Sequence, residues 1–523
     1  MKRIVSLLLC VVILFTVVVS AAPVSVAAED AAVIPVVHVV GTGTPISRKN
    51  AEGETERVYP VQIPDGYIEE KAKIFLPVFA EAFFTQRWDE FCDVLYEILS
   101  PLFSSMALDK NGEVTDGSYV EWTWSLESLA ADTRADGTYG VTDYMFHYDW
   151  RLDPMIIADT LHRYIEDVLT VTGAEKVALY GRCLGSNIVA AYMHKYGGEH
   201  VCEVIHYASA LYGATQCSKV FTGELRLHAD GIERFVYDIN LDIDEYFMGF
   251  IQAFVSLLNK TYGLDITCWA INNVMEDIYL DIIPRVIAES YGTFPAYWGM
   301  VRIEDYEKAM ETVFYGSDIS EYSKLIEKIE YFRNNVQLTF EDDVKKHRES
   351  GIEFSNIVKY GYQSIPVTEE GDALSDALCS VEKSSFGAAT ALVNESFSDD
   401  YIEKAKEKGT FNYISPDKQI DASTCLSPDT TWFVKNLFHT DFPTCINGLV
   451  SEIVNNDGYT VISSAEYPQY LVYNKEDNQL VPMDSGNMNT TQRWEVTFFE
   501  AFVSFFKNLL KMIEGKVAES FAK

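Results

Sequence analysis

Apolar residues along the chain alternate between two textures. Short β-branched runs read as buried strands, and longer stretches with helical spacing separate them. Val33-Ile34-Pro35-Val36-Val37-His38-Val39-Val40 is nearly continuous and apolar, which predicts a strand covered on both faces. It ends in Gly41-Thr42-Gly43-Thr44, a turn with backbone N–H groups free to bind a ligand. A mainly helical region spans 68–102. Tyr144 to Arg151 predicts a strand running into a loop. Ile157, Leu161, Tyr164, Ile165 and Val168 place a helix over 156–171. Lys176–Tyr180 and Glu203–Ala208 predict two further strands. Strands alternating with helices indicate an α/β class with a mostly parallel sheet.

The alternation stops between 215 and 351. That stretch is helical and rich in large aromatics, among them Phe250, Phe254, Trp269, Phe294, Tyr297 and Trp298. It reads as a helical cap inserted between sheet strands, with the aromatics as helix packing. The pattern resumes at Asn356–Tyr362, passes through a loop-rich excursion to about 410, and gives Thr431–Asn436 as the last core strand. The predicted organisation is a core in two halves, 29–214 and 352–450, around the 215–351 cap. A C-terminal extension, 451–523, carries an amphipathic Phe-rich helix expected to dock on the protein.

The beginning of the chain changes the expected compartment. Lys2 and Arg3 precede an apolar run from Ile4 to Val19, and small residues follow, with cleavage expected after Ala21 or Ala28. Residues 1–28 therefore read as a signal peptide. The protein is expected to be secreted or extracytoplasmic, and membrane-tethered if the signal is not cleaved. Hydrophobic residues make up 48% of the chain, enough to specify a packed fold rather than a disordered one. Lys and Arg number 41 against 78 Asp and Glu, a formal net charge of -37. Such a surface repels phosphate backbones and excludes nucleic acid as an expected partner. Cys92, Cys183, Cys202, Cys217, Cys268, Cys379, Cys425 and Cys445 lie beyond the signal, with no C-x-x-C pair to suggest zinc. Export permits Cys202–Cys217 or Cys425–Cys445 disulfides.

The chemistry is concentrated at Gly181-Arg182-Cys183-Leu184-Gly185. A strand precedes this G-x-C-x-G turn and the helical stretch Ser186–Met193 follows it. That is the context of a nucleophile elbow, with cysteine in the usual place of serine. A thiol nucleophile needs a base, and the base an orienting acid, in the chain order nucleophile, acid, base. His439, just past the Thr431–Asn436 strand, is the expected base. The other histidines after the elbow lie on the elbow helix, inside a strand or in the cap. The turn Ser415–Asp421 offers Asp417 as the expected acid and Asp421 as the alternative. The backbone N–H of Leu184, with that of Thr42 or Gly43, would form the oxyanion hole. No metal or organic cofactor is implied.

Tyr148-Asp149-Trp150-Arg151-Leu152, followed by a helix, a strand and the elbow, resembles lecithin:cholesterol acyltransferase and its relatives. Pro35–Gly41 is similar to that family's first strand and oxyanion turn, Thr293–Trp298 to a segment of its cap, and Asn356–Gly361 to the strand carrying its Tyr-Gly turn. The resemblance implies an α/β-hydrolase fold with a cap, acting on a lipid ester. It puts Cys183 at the nucleophile position and Leu184 at an oxyanion position, and favours Asp417 and His439. Two departures stand out. The family's elbow has His-Ser where this chain has Arg182-Cys183, and its acidic turn has Asp-Gly-x-Val where this chain has Asp417-Lys418-Gln419-Ile420.

The expected function is that of an esterase, lipase or O-acyltransferase working through a Cys-His-Asp triad and an acyl-enzyme. Its substrates would be small-molecule or lipid esters, with transient membrane contact allowed. A silent hydrolase-fold binding protein is the alternative, suggested by the loss of His-Ser from the elbow.

Overall fold

The structure is a computed structural model that describes residues 34–64, 66–132, 144–238, 245–364, 373–393, 395–488 and 497–521. The expected signal peptide lies outside them. Eight strands form one sheet: β1 (Val36–Val39), β2 (Tyr144–Phe146), β3 (Val177–Arg182), β4 (Val201–Tyr207), β5 (Glu353–Tyr360), β6 (Thr431–Lys435), β7 (Tyr470–Asn474) and β8 (Gln479–Pro482). Their order across the sheet is β8-β7-β6-β5-β4-β3-β1-β2. Every neighbouring pair is parallel except the β7–β8 edge pair. The sheet thus continues two strands beyond Thr431–Lys435, which is not the last strand of the core. Residues 470–482 belong to the sheet rather than to a separate extension.

Side chains alternate between the two faces of a strand, and both faces here are covered. Val37, Val39, Val177 and Leu179 face one core, with Leu161, Ile165 and Val168 of α1 (Pro154–Thr172) and Ile188 and Val189 of α2 (Leu184–Tyr196). Val36, Ala178 and Tyr180 face the other, with residues of a helix later in the chain, Ile446–Asn455. The α1 ends are set by sequence. Asp153 accepts a hydrogen bond from the Met155 N–H, Pro154 occupies the first turn, and Gly173 closes the helix at φ 70°.

Between β4 and β5, the described part of 215–351 consists of helices joined by short turns, with no strand among the described residues. It begins with α3 (Thr215–Thr222) and continues through α4 (Glu245–Lys260). Trp150 of the core packs against Phe294 and Tyr297 of this insertion, at ring-centroid distances of 5.9 and 5.7 Å. Near the C-terminus, α5 (Phe498–Phe521) docks on α4 by setting Phe505 against Phe250 and Phe254, at 5.1 and 6.0 Å. No helix among the described residues is long and apolar enough to cross a membrane. The eight described cysteines are all free, so neither Cys202–Cys217 nor Cys425–Cys445 forms a bridge.

Candidate active site

Cys183 sits between the end of β3 and the start of α2 with φ 51° and ψ -122°. A side chain bearing a Cβ rarely adopts this conformation, and it persists only where the surroundings enforce it. The two flanking glycines explain how. A Cβ on Gly181 would lie 2.9 Å from the Gly185 carbonyl oxygen, and one on Gly185 would lie 2.1 Å from that of Val39. Any larger residue at either place would push the helix off the sheet. Ser186 Oγ donates to the Gly181 carbonyl at 3.0 Å and ties the turn shut.

The turn after β1 lies directly against this elbow. A Cβ on Gly41 would be 3.2 Å from Cys183 Cβ and 3.8 Å from its Sγ, so any side chain there would crowd the elbow. The Tyr-Asp-Trp-Arg block holds both ends of that turn. Tyr148 Oη donates to the Val40 carbonyl at 2.6 Å, and Trp150 Nε1 donates to the Thr44 carbonyl at 3.1 Å. Arg151, fully buried, forks onto Asp149 at 2.9 and 2.7 Å and also donates to the Met106 carbonyl and Ser118 Oγ. The block is therefore a brace for the turn that carries Thr42. Leu184 is the first residue of α2, where helix N–H groups lack intrahelical acceptors and suit a developing negative charge.

His439 lies in the loop after β6 and its carboxylate partner is Asp376. Nδ1 is 2.7 Å from Asp376 Oδ2, and the His439 backbone N–H donates to the Asp376 carbonyl at 2.7 Å. Asp376 Oδ1 accepts from the N–H groups of Leu378 and Cys379 at 3.0 and 2.7 Å, which fixes the carboxylate before the histidine is considered. Nε2 is buried and makes no hydrogen bond, so it is the nitrogen left to serve a thiol. Burial opposes a charge on the ring, but Asp376 and Cys183 outweigh it and raise His439 well above its ordinary pKa.

Beneath this loop lies Lys359, also fully buried. Its Nζ donates to the carbonyls of His439 and Asp441 at 2.8 and 2.6 Å. Burial lowers its pKa to about 7, with Asp376 and Asp441 pulling the other way. Arg182 stacks on Phe442, its guanidinium carbon 4.3 Å from the ring centroid, and so braces the same loop.

Asp417 does not meet His439. Its Oδ2 is 2.8 Å from Lys435 Nζ, a buried ion pair at the end of β6, and its Oδ1 accepts from Ser415 Oγ and the Gln419 N–H. The alternative, Asp421, accepts from Tyr401 Oη at 2.9 Å and caps the turn at Ser423. Both aspartates are thus committed to structural partners. The carboxylate that does meet His439 lies in the connection after β5, directly behind the short antiparallel pair Tyr362–Gln363 and Leu374–Ser375. The signal that hid it is Ala377. This residue takes φ 82°, a conformation that favours glycine, and an Asp-Gly pair would have marked the turn. Of the other histidines after the elbow, His194 pairs with Asp343 at 2.9 Å, and His206 lies buried within β4.

The cap closes over these residues. Gln216 of α3 donates through Nε2 to the Ala377 carbonyl at 2.7 Å, which ties the cap to the Asp376 turn. Cys183 is 9% exposed and His439 6%, so both lie largely beneath the surface.

No protein-family profile matches the chain, and no curated protein matches it. Among solved structures, the Tle4-Tli4 complex aligns over 62% of this chain and 74% of that chain, with 11% identity and a TM-score of 0.23. Bromoperoxidase from Bacillus anthracis aligns over 38% of this chain and 65% of that chain, with 11% identity and a TM-score of 0.12. Likenesses this slight carry no argument about fold family or activity.

Proposed function

We propose that the protein is an exported acyl hydrolase or O-acyltransferase of the α/β-hydrolase fold, with Cys183 as nucleophile, His439 as base and Asp376 as the orienting acid. The observation that carries this reading is the conjunction of a strained cysteine at a strand–helix elbow with a buried His–Asp pair. Cys183 and His439 lie just past the C-terminal ends of parallel strands, and Asp376 lies in the connection between β5 and β6. The similarity of the Tyr148–Leu152 block and the elbow to the lecithin:cholesterol acyltransferase family supports a lipid-like or activated ester as substrate.

In this mechanism the Cys183 thiolate attacks the acyl carbonyl. The N–H groups of Leu184 and Thr42 receive the oxyanion. Collapse breaks the ester C–O bond, and the His439 imidazolium gives its proton to the departing alkoxide. Neutral His439 then takes a proton from water or from an acceptor alcohol, whose oxygen attacks the thioester and frees Cys183. A thiolate also leaves easily from the first adduct, so return to substrate competes when the alcohol is a poor leaving group. Activated esters, lactones and thioesters are therefore better substrates than amides.

The test is hydrolysis of short and medium p-nitrophenyl esters by wild type and Cys183→Ala. A fall of at least about a thousandfold in kcat/KM, with the circular dichroism unchanged, is expected. Equal rates in the two proteins would overturn the assignment and favour a ligand-binding role for the closed cap.

A further inference from the structure

A second thiol stands at the same imidazole. Cys379 Sγ, an Asp376 oxygen and a His439 ring nitrogen all lie within 4.8 Å of one another. Cys183 and Cys379 are both close enough to His439 to influence its charge electrostatically. The grouping is unlike a cation site, because the Asp376 carboxylate is already used: Oδ1 by two backbone N–H groups and Oδ2 by His439. What remains without a hydrogen-bond partner is His439 Nε2, with the Cys379 thiol beside the ring. The acyl-transfer mechanism has no use for Cys379.

We propose that Cys379 is a resolving thiol for Cys183, so that a peroxide converts the site to a Cys183–Cys379 disulfide and not to an irreversibly oxidised cysteine. Exposure assigns the order. Cys379 is fully buried and meets no reagent from solution, whereas Cys183 retains 9% of its surface. The Cys183 thiolate attacks the peroxide O–O bond and takes one oxygen as a sulfenic acid, and the other oxygen leaves as water after gaining a proton. Cys379 sulfur then attacks Cys183 sulfur. The S–O bond breaks, and the Cys379 proton passes through His439 to the departing hydroxide. In sum, two thiols and one hydrogen peroxide give one disulfide and two waters, the two electrons moving from sulfur to oxygen. Burial pushes the Cys379 thiol up to about 12, so at rest it stays protonated and His439 must assist its attack.

The position of Cys379 suits this role. Its backbone N–H is anchored on Asp376 at 2.7 Å, which keeps its Sγ beside the ring. A third thiol, Cys217 on α3, also lies in the electrostatic neighbourhood of Cys183, Cys379 and His439, and it is the competitor the experiment must exclude.

The full-length protein would be treated with hydrogen peroxide, remaining thiols alkylated, and the peptides mapped by mass spectrometry. A Cys183–Cys379 cross-link that forms before any Cys183 sulfinic acid and is released by dithiothreitol is expected. In Cys379→Ser, dimedone should trap a Cys183 sulfenic acid that proceeds to sulfinic acid about tenfold faster than in wild type. Cys217→Ser should form the cross-link as wild type does, which guards against a Cys379→Ser variant that folds poorly. A Cys183–Cys217 disulfide, or direct sulfinic acid in wild type, would overturn the proposal, as would a Cys183 inert to peroxide. The readout is mass and not ester turnover. A cross-linking protein without esterase activity would therefore count against the acyl-transfer reading alone.

Discussion

Two aspartate turns lie between β5 and β6, and they are built alike. Each buries its carboxylate, closes one oxygen on its own turn, and points the other at a basic side chain from the β6 end of the sheet. For Asp417 that side chain is Lys435, at 2.8 Å; for Asp376 it is His439, at 2.7 Å. The difference lies in what the partner has left over. The Lys435 ammonium is consumed, its remaining protons going to the Met488 carbonyl and Gln419, and the pair is structural. The His439 ring uses one nitrogen on the carboxylate and keeps the other for a thiol. A buried carboxylate is thus a catalytic candidate only through the spare capacity of its partner.

Exchanging the two acids separates these roles. Asp376→Asn keeps the Oδ1 acceptor of the turn but removes the charge that orients and holds the imidazolium. The expected loss in kcat on an activated ester is about a thousandfold to ten-thousandfold, with a smaller stability cost than in Asp417→Asn because the imidazole, unlike the Lys435 ammonium, readily gives up its proton. Asp417→Asn should do the reverse. It leaves Lys435 buried without its counter-charge and should cost about 3–5 kcal/mol in urea unfolding, while kcat per folded molecule stays near wild type. If both variants lost activity equally at equal stability, the distinction between the two turns would collapse.

A pH series sharpens the same contrast. Because the folded pKa of His439 is raised, its stabilising contribution is complete below the ordinary value of about 6.5 and disappears as pH rises through the folded value. The imidazolium that protonates the leaving alkoxide is lost over the same range. The alkaline limb of kcat/KM should therefore move to lower pH in Asp376→Asn and stay in place in Asp417→Asn; matching profiles for both variants would refute the assigned pairing. The smallest effect is expected at Ala377. Replacing it by glycine relieves φ 82° and should raise stability by about 0.5–1 kcal/mol, read as a higher Tm with unchanged activity.

The elbow was legible in the sequence because its determinants are local. Two glycines, a β-branched strand and an apolar helix around Cys183 are contiguous, and steric exclusion at Gly181 and Gly185 operates within a few residues. His439 was legible for a similar reason, since it follows a recognisable buried strand at short range. The Tyr148–Arg151 block announced itself by its composition, but its work of bracing the Gly41–Thr44 turn spans over a hundred residues of chain.

The sequence by itself determined the alternation of strands and helices, the mainly helical insertion, the strand–turn–helix at Cys183 and the place of His439 after a buried strand. Only the tertiary structure decided which carboxylate meets His439, the reach of the sheet to β8, the free state of the described cysteines, and the meeting of Cys379 with His439. Periodicity and steric fit act over neighbouring residues and leave a mark in local order. A carboxylate's choice between His439 and Lys435 depends on how separate loops converge at the ends of adjacent strands, and no neighbouring residue records that convergence.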